Sequence, residues 1–372
     1  MKATAERAAL LKSLGHVQSV VERRNTIPIL SNLRLSAEDG RLSLAATDLD
    51  MEAVEAVDAT VSQPGTITVA AQTLYEIVRK LPEGAQVELA QDVENERLSV
   101  SAGRARFALA TLPASDLPVM ASPEFDHHYE ITAGDLRKLF EKTRFAISNE
   151  ETRYYLGGVY LHPHGEGEEA RLRGVATDGH RLARVDVALP PGAEKAPGVI
   201  VPRKTVTELV KLLDDDAEVV KVALSEAKLR FETGRVVLTS KVIDGQFPEY
   251  QRVIPTGNDK AMTVDAKQFA GAVDRVATVS SDKTRAVKLS LGADRLVLSV
   301  NAPDAGSADE EMTVGYDADE LEIGFNARYL TEIANQVDRE NAVFEFADPG
   351  APTLVKEAGD DGVIYVVMPM RV

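Results

Sequence analysis

The stretch TITVAAQTLYEIVRKLPEGAQVELA, residues 66–90, reads as extended chain, then a helix, a polar turn and a strand. The same series returns as GVIVPRKTVTELVKLLDDDAEVVKVAL (198–224) and as LEIGFNARYLTEIANQVDRENAVFEFA (321–347). Leu74, Val206 and Leu330 take equivalent places, each followed two residues later by Glu76, Glu208 or Glu332 and then by an aliphatic residue, at spacings of 132 and 124. A second set begins ATAERAALLKSL (3–14), EITAGDLRKLFEKT (130–143) and TVDAKQFAGAVDRV (263–276), aligning Leu10, Leu136 and Phe269. Self-similarity at so long a period means a repeated supersecondary unit. The chain reads as three repeats, each holding two helix-plus-strands halves.

Between the helices lie alternating runs that predict antiparallel strands: LRLSAEDGRLSLAATD (33–48), with Asp39-Gly40 as the hairpin turn, and VKLSLGADRLVLSVN (287–301). The proline-rich joints LPASDLPVMASPEF (112–125) and FPEYQRVIPTGNDK (247–260) resist both helix and central strand. They place domains at 1–122, 127–252 and 259–372, and the fold class is α+β with antiparallel sheets. The 372 residues are 44% hydrophobic and 27% charged, which excludes wholesale disorder. Trp is absent and aromatics are 5%, so the cores are aliphatic. Cys is also absent, which removes disulfides, thiolate metal sites and cysteine nucleophiles, and fits a reducing cytoplasm. Glu6 and Arg7 interrupt the apolar run a signal peptide needs, and no stretch of about 18 apolar residues follows. The expectation is a cytoplasmic protein with no membrane partner.

The net charge of −17 repels nucleic acid on average. The six helical windows 5–21, 72–80, 134–144, 203–212, 266–276 and 327–337 carry fourteen basic and seven acidic residues, so the rest of the chain is far more acidic than the average. Positive helices beside negative strands and loops predict one surface that meets phosphate while the others repel it. Six helices packed about 8–10 Å apart in a circle leave a lumen of roughly 7 Å, whereas twelve leave roughly 24 Å, enough for duplex DNA. Two chains could surround a duplex where one could not.

The stretches NTIPILSNL (25–33), ATDLDME (46–52), GRARFALATLP (103–113), TRYYLGG (152–158), ATDGHRLA (176–183), VPRK (201–204), SKVIDGQFPEY (240–250) and YVVMPMRV (365–372) stand in an order that resembles the bacterial sliding clamp family, the beta subunits of DNA polymerase III. The resemblance runs from end to end. It implies three clamp-type domains per chain and a homodimer ring with helices lining the hole. It also implies sequence-independent binding of double-stranded DNA by enclosure. The implied partners are the DNA polymerase III alpha subunit, clamp-loader subunits and other clamp-binding-motif proteins. No reaction and no cofactor are implied.

Carried over residue by residue, the resemblance brings Arg24, Tyr154, Tyr155, Arg203 and Lys204 toward DNA, where Arg and adjacent Tyr suit backbone contact and stacking. The family's pocket for short partner peptides falls on Leu156, Thr177, Gly179, His180, Arg181, Leu182, Pro248, Val253, Val367, Met368, Pro369, Met370 and Arg371. Aliphatic walls, pliable Met and a few polar groups suit an extended peptide with apolar anchors. The dimer contact falls on Phe107 and Leu109 against Thr278 and Val279, with Arg104 and Arg106 facing the acidic segment of Asp304 and Glu310. The chain departs from the pattern at Gln72 and Thr73, where basic residues are expected, at Ser307, where an acid is expected, and at Val372, where Leu is expected.

Enzyme readings rest on less. Asp178 and His180 invite a hydrolase, but Thr47-Asp48 in the earlier repeat lacks a following His, which marks a strand-to-turn feature instead. His127-His128 and His162-Pro-His164 lack a further spaced ligand set. No phosphate-binding loop or dinucleotide fingerprint occurs. A Mg-dependent nuclease and a sequence-specific DNA-binding protein are the alternatives.

Overall fold

The computed structural model describes all residues except 23–25, 121–123, 281–284, 304 and 372. Arg24 and Asp304, and the departure at Val372, therefore lie outside the described residues. Six α-helices are present among the described residues: α1 (Arg7–Gln18), α2 (Ala71–Lys80), α3 (Ala133–Arg144), α4 (Arg203–Leu212), α5 (Ala266–Ala277) and α6 (Ala327–Ala334). Each follows a strand and is followed by three antiparallel strands, so the chain is six copies of one β-α-β-β-β element with one additional short strand, Thr60–Gln63.

Each helix forms for local reasons. The apolar residues fall on one face, as with Leu10, Leu14 and Val17 in α1 or Phe269, Val273 and Val276 in α5, all buried. Carboxylates and an amide close several N-termini: Glu6 accepts from the Ala9 N–H, Asp265 from Gln268 and Asn326 from Arg328. The first helical N–H is used as well. In α1, α3, α4, α5 and α6 it donates to a carbonyl just ahead of the first post-helix strand of the other half: Ala85, Glu218, Gly157, Glu340 and Arg285 respectively.

Within each repeat the halves exchange their lead strands. Lys2–Glu6 pairs with Gln86–Asp92, and Gly65–Ala70 with Asn32–Glu38. The same exchange joins His127–Thr132 to Val219–Leu224, Val199–Pro202 to Gly158–His164, Lys260–Asp265 to Asn341–Phe346, and Leu321–Asn326 to Ala286–Gly292. Neither half of a repeat completes its sheet alone. The hairpin at Asp39-Gly40 has positive φ at both residues, 48° and 74°, with Glu38 opposite Arg41, as a two-residue turn requires.

Four of the six last strands have a second role. Met51–Asp58 pairs with Val236–Lys241, and Arg181–Ala188 pairs with Asp360–Val367. These pairings sew each half of the middle repeat to a neighbouring repeat, and they decide how the chain divides. One compact unit comprises Met1–Arg137, Pro190–Pro197 and Lys204–Val242; the other comprises Lys138–Leu189, Gly198–Arg203 and Ile243–Val372. The division crosses the middle repeat rather than the proline-rich joints, because a β ladder resists separation more than a proline-rich linker does. The first unit holds a 13-stranded sheet and the second an eight-stranded and a four-stranded sheet.

Candidate nucleic-acid and partner interfaces

In the second unit a buried apolar cluster gathers Leu156, Val175, Leu182, Ile200, Phe247, Tyr250 and Val366, with Tyr155, Ile243, Ile254 and Leu354 packed against it. Of the residues carried over for the peptide pocket, the structure brings Leu156 and Leu182 into this cluster. Pro248 is exposed and stands between two of its members in the chain, Phe247 and Tyr250. Val253, at the end of the 3-10 turn Tyr250–Val253, and Met368, two residues beyond Val366, remain exposed at 47% and 39%. Exposed large apolar side chains beside a buried apolar floor are what an apolar peptide anchor needs.

Several carried-over residues lie elsewhere. Val367 is fully buried, because it sits within the ladder opposite Arg181. The tail then turns onto another strand: the Met368 N–H donates to the His180 carbonyl, and the Met370 N–H to Gly324. Pro369, Met370 and Arg371 consequently border a separate cavity of about 850 Å³ with Lys288, Asn301, Glu322 and Gly350. Arg181 is beneath the surface rather than on a groove wall. It pairs with Asp178 and Glu332, donates to the Phe145 carbonyl, and lies between the Phe145 and Tyr329 rings at 5.0 and 4.5 Å. Thr177 is also occupied, donating to the Arg181 carbonyl at 2.7 Å.

The Asp178 turn answers the hydrolase reading. Asp178 Oδ1 accepts from the His180 and Arg181 N–H groups, and the Thr177 hydroxyl accepts from the Gly179 N–H. Asp48 and Thr47 make the same bonds to Asp50, Met51 and Leu49. Asp178 is a turn-former of the repeat. His180 is exposed and stacks on Tyr329, with ring centroids 6.2 Å apart. Among the described residues no group of three or more His, Asp or Glu could hold a metal ion.

The candidate DNA contacts are unequal. Tyr154 is 57% exposed and meets Tyr155 edge-on at 5.8 Å, while Tyr155 leans on the apolar cluster. Arg203 starts α4 close by, where its backbone N–H bonds to the Gly157 carbonyl. Its guanidinium donates to the Ile147 and Ser148 carbonyls, and burial, helped by the nearby Arg181 charge, lowers its pKa. Lys204, in the first unit, is engaged by Asp48 at 2.5 Å, the Val20 carbonyl at 2.9 Å and Glu22 at 3.5 Å. Its ammonium therefore anchors the Asp48 turn, and any phosphate would have to compete with that carboxylate.

The helices themselves carry fourteen basic and six acidic residues. Many of these cations have acidic neighbours: Lys12 meets Asp214, Arg137 meets Asp216, Lys138 meets Asp360, and Arg328 meets Glu332. Pairs as exposed as Lys12–Asp214 are worth about 0–1 kcal/mol, so a phosphate can displace the carboxylate at little cost.

Two strands stand apart. Ala105–Leu112 and Gly306–Thr313 are also last strands of their halves, yet neither meets a last strand of another half. Both are open along most of their length, and Phe107 and Leu112 are each 38% exposed. Arg104 and Arg106 border the first with no acid in the strand, while the second carries Asp309, Glu310 and Glu311 with no base. Thr278, exposed, and Val279 follow α5. Glu310 is not free to face Arg104 and Arg106: it is forked onto Arg275 at 2.5 and 3.0 Å, and that bond holds its carboxyl below the ordinary range. Asp309 is the exposed acid of that strand for which no base among the described residues lies within ion-pair reach.

A sixfold β-α-β-β-β scaffold with an apolar floor and two last strands that meet no last strand of another half has the features of a binding and assembly protein. Family models match in three consecutive pieces, described as the N-terminal (residues 1–121), central (130–249) and C-terminal (251–371) domains of the DNA polymerase III beta subunit. The chain belongs to that family. It is 56% identical to the beta sliding clamp of Caulobacter vibrioides over 372 residues and 39% identical to that of Escherichia coli over 374, with all of each chain covered. Among solved structures, the sliding clamp of Bartonella birtlesii bound to griselimycin superposes with a TM-score of 0.96 at 48% identity, covering the whole of both chains. The clamp of Caulobacter crescentus gives 0.93 at 56%, again over both whole chains.

Proposed function

We infer that this chain is a DNA sliding clamp: two copies close into a ring around duplex DNA and tether a polymerase to its template without catalysing a reaction. The observation that carries this reading is the pair of leftover last strands, Ala105–Leu112 and Gly306–Thr313. Last strands of different halves meet twice inside the chain, and one such strand is left over in the first repeat and one in the third. Head-to-tail pairing of Ala105–Leu112 with Gly306–Thr313 of a second copy would repeat that joint twice more and close the assembly, as a heterologous contact that completes a rotation does. Arg104 and Arg106 complement Asp309 and the backbone next to Glu310, and Phe107 and Leu109 supply apolar area against Thr278 and Val279. Two copies provide twelve helices, the number whose lumen admits a duplex. The proposed domains are 1–122, 127–252 and 259–372; the family-model pieces 1–121, 130–249 and 251–371 support a three-part division, with the third piece starting eight residues earlier.

DNA is held by enclosure. Helix cations attract phosphate without reading bases, and Tyr154, Arg203 and Lys204, with Arg24, add weak contacts. The apolar floor under Val253 and Met368 takes the partner peptides of the DNA polymerase III alpha subunit and of clamp-loader subunits. No described helix is long and apolar enough to cross a membrane, and the composition and family support a cytoplasmic location. The test is topological. Loaded protein should stay on closed circular DNA and leave rapidly once the circle is cut; equal retention on both forms rejects enclosure. Sedimentation should show Phe107→Ala with a weakened dimer, since truncating a buried aromatic anchor at an interface costs about 2 kcal/mol or more.

A further inference from the structure

Tyr250 opens the 3-10 turn Tyr250–Val253, and its ring is one wall of the apolar cluster beneath Val253. Its hydroxyl lies 3.0 Å from His162 Nε2 and 3.2 Å from Arg173 Nη1. His162 Nδ1 lies 2.8 Å from the Pro163 carbonyl. A carbonyl can only accept, so Nδ1 carries the proton, and a neutral ring then offers Nε2 as an acceptor. Each bond therefore has one direction. Arg173 donates to the Tyr250 oxygen, Tyr250 donates to His162, and His162 donates to Pro163. Arg173 is fixed in turn by a forked pair with Asp186 at 2.6 and 2.9 Å.

We propose that His162, Arg173 and Tyr250 are positioning residues for the partner-peptide groove: this one-way relay holds the Pro248–Val253 segment in place, and protonation of His162 releases it. The proposal rests on the groove reading above. A second ring proton on Nε2 would point at the Tyr250 oxygen, already an acceptor from Arg173, and the buried hydroxyl proton would lose its acceptor. Leaving a buried donor without a partner carries its full desolvation cost. The charges around His162 add to the penalty. Arg173 faces it from strand Arg171–Thr177, Asp186 from Arg181–Ala188, His164 and Tyr160 from its own strand, and Tyr250 from the 3-10 turn, while Arg184 acts on Tyr250 and His164. Of these charges, Arg173 and His164 oppose a second ring proton and Asp186 favours it. Burial first, then Arg173 and His164, hold the His162 pKa below the ordinary imidazole value, although the Pro163 carbonyl pulls the other way. The ring is therefore neutral at neutral pH and charges only in acid.

The experiment measures binding of two ligands, griselimycin, which the Bartonella birtlesii and Pseudomonas aeruginosa clamps hold, and purified DNA polymerase III alpha subunit. Full-length wild type, Val253→Asp, Tyr250→Phe and His162→Gln are compared from about pH 7.5 to about pH 5.5, across the ordinary imidazole range. Val253→Asp should weaken binding about ten-fold or more by placing a charge on the groove. Tyr250→Phe should weaken it about five-fold at neutral pH, the size of one lost hydrogen bond. His162→Gln keeps an acceptor for Tyr250 and cannot titrate. It should bind as wild type does at neutral pH and lack the loss that wild type shows in acid. If Val253→Asp binds both ligands undiminished, the groove reading fails and the proposal with it. If Val253→Asp weakens binding while Tyr250→Phe and His162→Gln follow wild type at every pH, the groove stands and the relay is overturned.

Discussion

Asp48 and Asp178 occupy two copies of one turn, yet the two turns are tied to the protein by different cations. In both, the carboxylate accepts two successive backbone N–H groups and the preceding Thr hydroxyl donates to the carbonyl three residues past the aspartate. The residue after the aspartate has positive φ in both, 81° at Leu49 and 88° at Gly179. The second carboxylate oxygen differs. Asp48 turns it to Lys204 of α4, a side chain still 35% exposed. Asp178 turns it to Arg181 of its own turn, whose side chain is 5% exposed and reaches on to Glu332 of α6. The turn is a property of four or five residues. What joins it to the next repeat depends on a side chain that the turn does not specify.

The largest effect should come from Arg181→Ala. It takes the guanidinium from Asp178 and the Phe145 carbonyl and leaves Glu332 with Arg328 alone, and removing one partner of a buried pair costs about 3–5 kcal/mol. Urea unfolding should show the loss, and a change below about 1 kcal/mol would mean that solvent reaches the site. Lys204→Ala should cost less, about 1–2 kcal/mol, since water can replace the ammonium at Asp48. The same titration would reverse this comparison if Lys204 proved the more costly. Gly179→Ala should destabilise by about 1–2 kcal/mol because an L residue is strained at that φ, and Arg153 Nη1 stands where the new Cβ would go, 2.6 Å away. Leu49→Gly should act in the opposite direction and stabilise by about 0.5 kcal/mol, as strain is relieved and some chain entropy is lost. Equal signs for the two changes would break the likeness between the turns.

A smaller effect separates the units by pH. Burial lowers the pKa of both His162 and His164 in the folded second unit, with Arg173 adding to it. The unfolded chain then binds more protons in the window just below the ordinary imidazole value of about 6.5, so stability is complete above that value and falls as pH drops through the window. Thermal unfolding of His162→Gln should show a shallower acid loss than wild type, and an identical slope would remove His162 from the linkage.

How far the sequence reached depends on the range of each interaction. The helix windows of the reading differ from α2 to α6 by at most three residues at either end, because stripes such as Leu330, Ile333 and Ala334 and caps such as Asp265 act within a few residues. The hairpin at Asp39-Gly40 was equally local. Arg181 and Val367 escaped the same reading. Each belongs to a motif that the resemblance carries, yet their burial depends on Phe145, Tyr329 and a ladder between strands some 180 residues apart in the chain. The network of His162, Arg173 and Tyr250 was missed as well. Its members lie on three elements, and the only signal was the run SKVIDGQFPEY, which marks Phe247 and Tyr250 without saying what their polar ends meet.

What the amino-acid order determined alone is the sixfold element, its helices and turns, and the excess of positive charge on those helices, since each follows from contacts between near neighbours in the chain. Tertiary structure alone decided where the compact units divide, which of the cations are spent on carboxylates such as Asp48 and Glu310, and which two of the last strands meet no last strand of another half. Those outcomes depend on pairings between distant strands, and hydrophobic periodicity carries no information about which distant strand a given edge will meet.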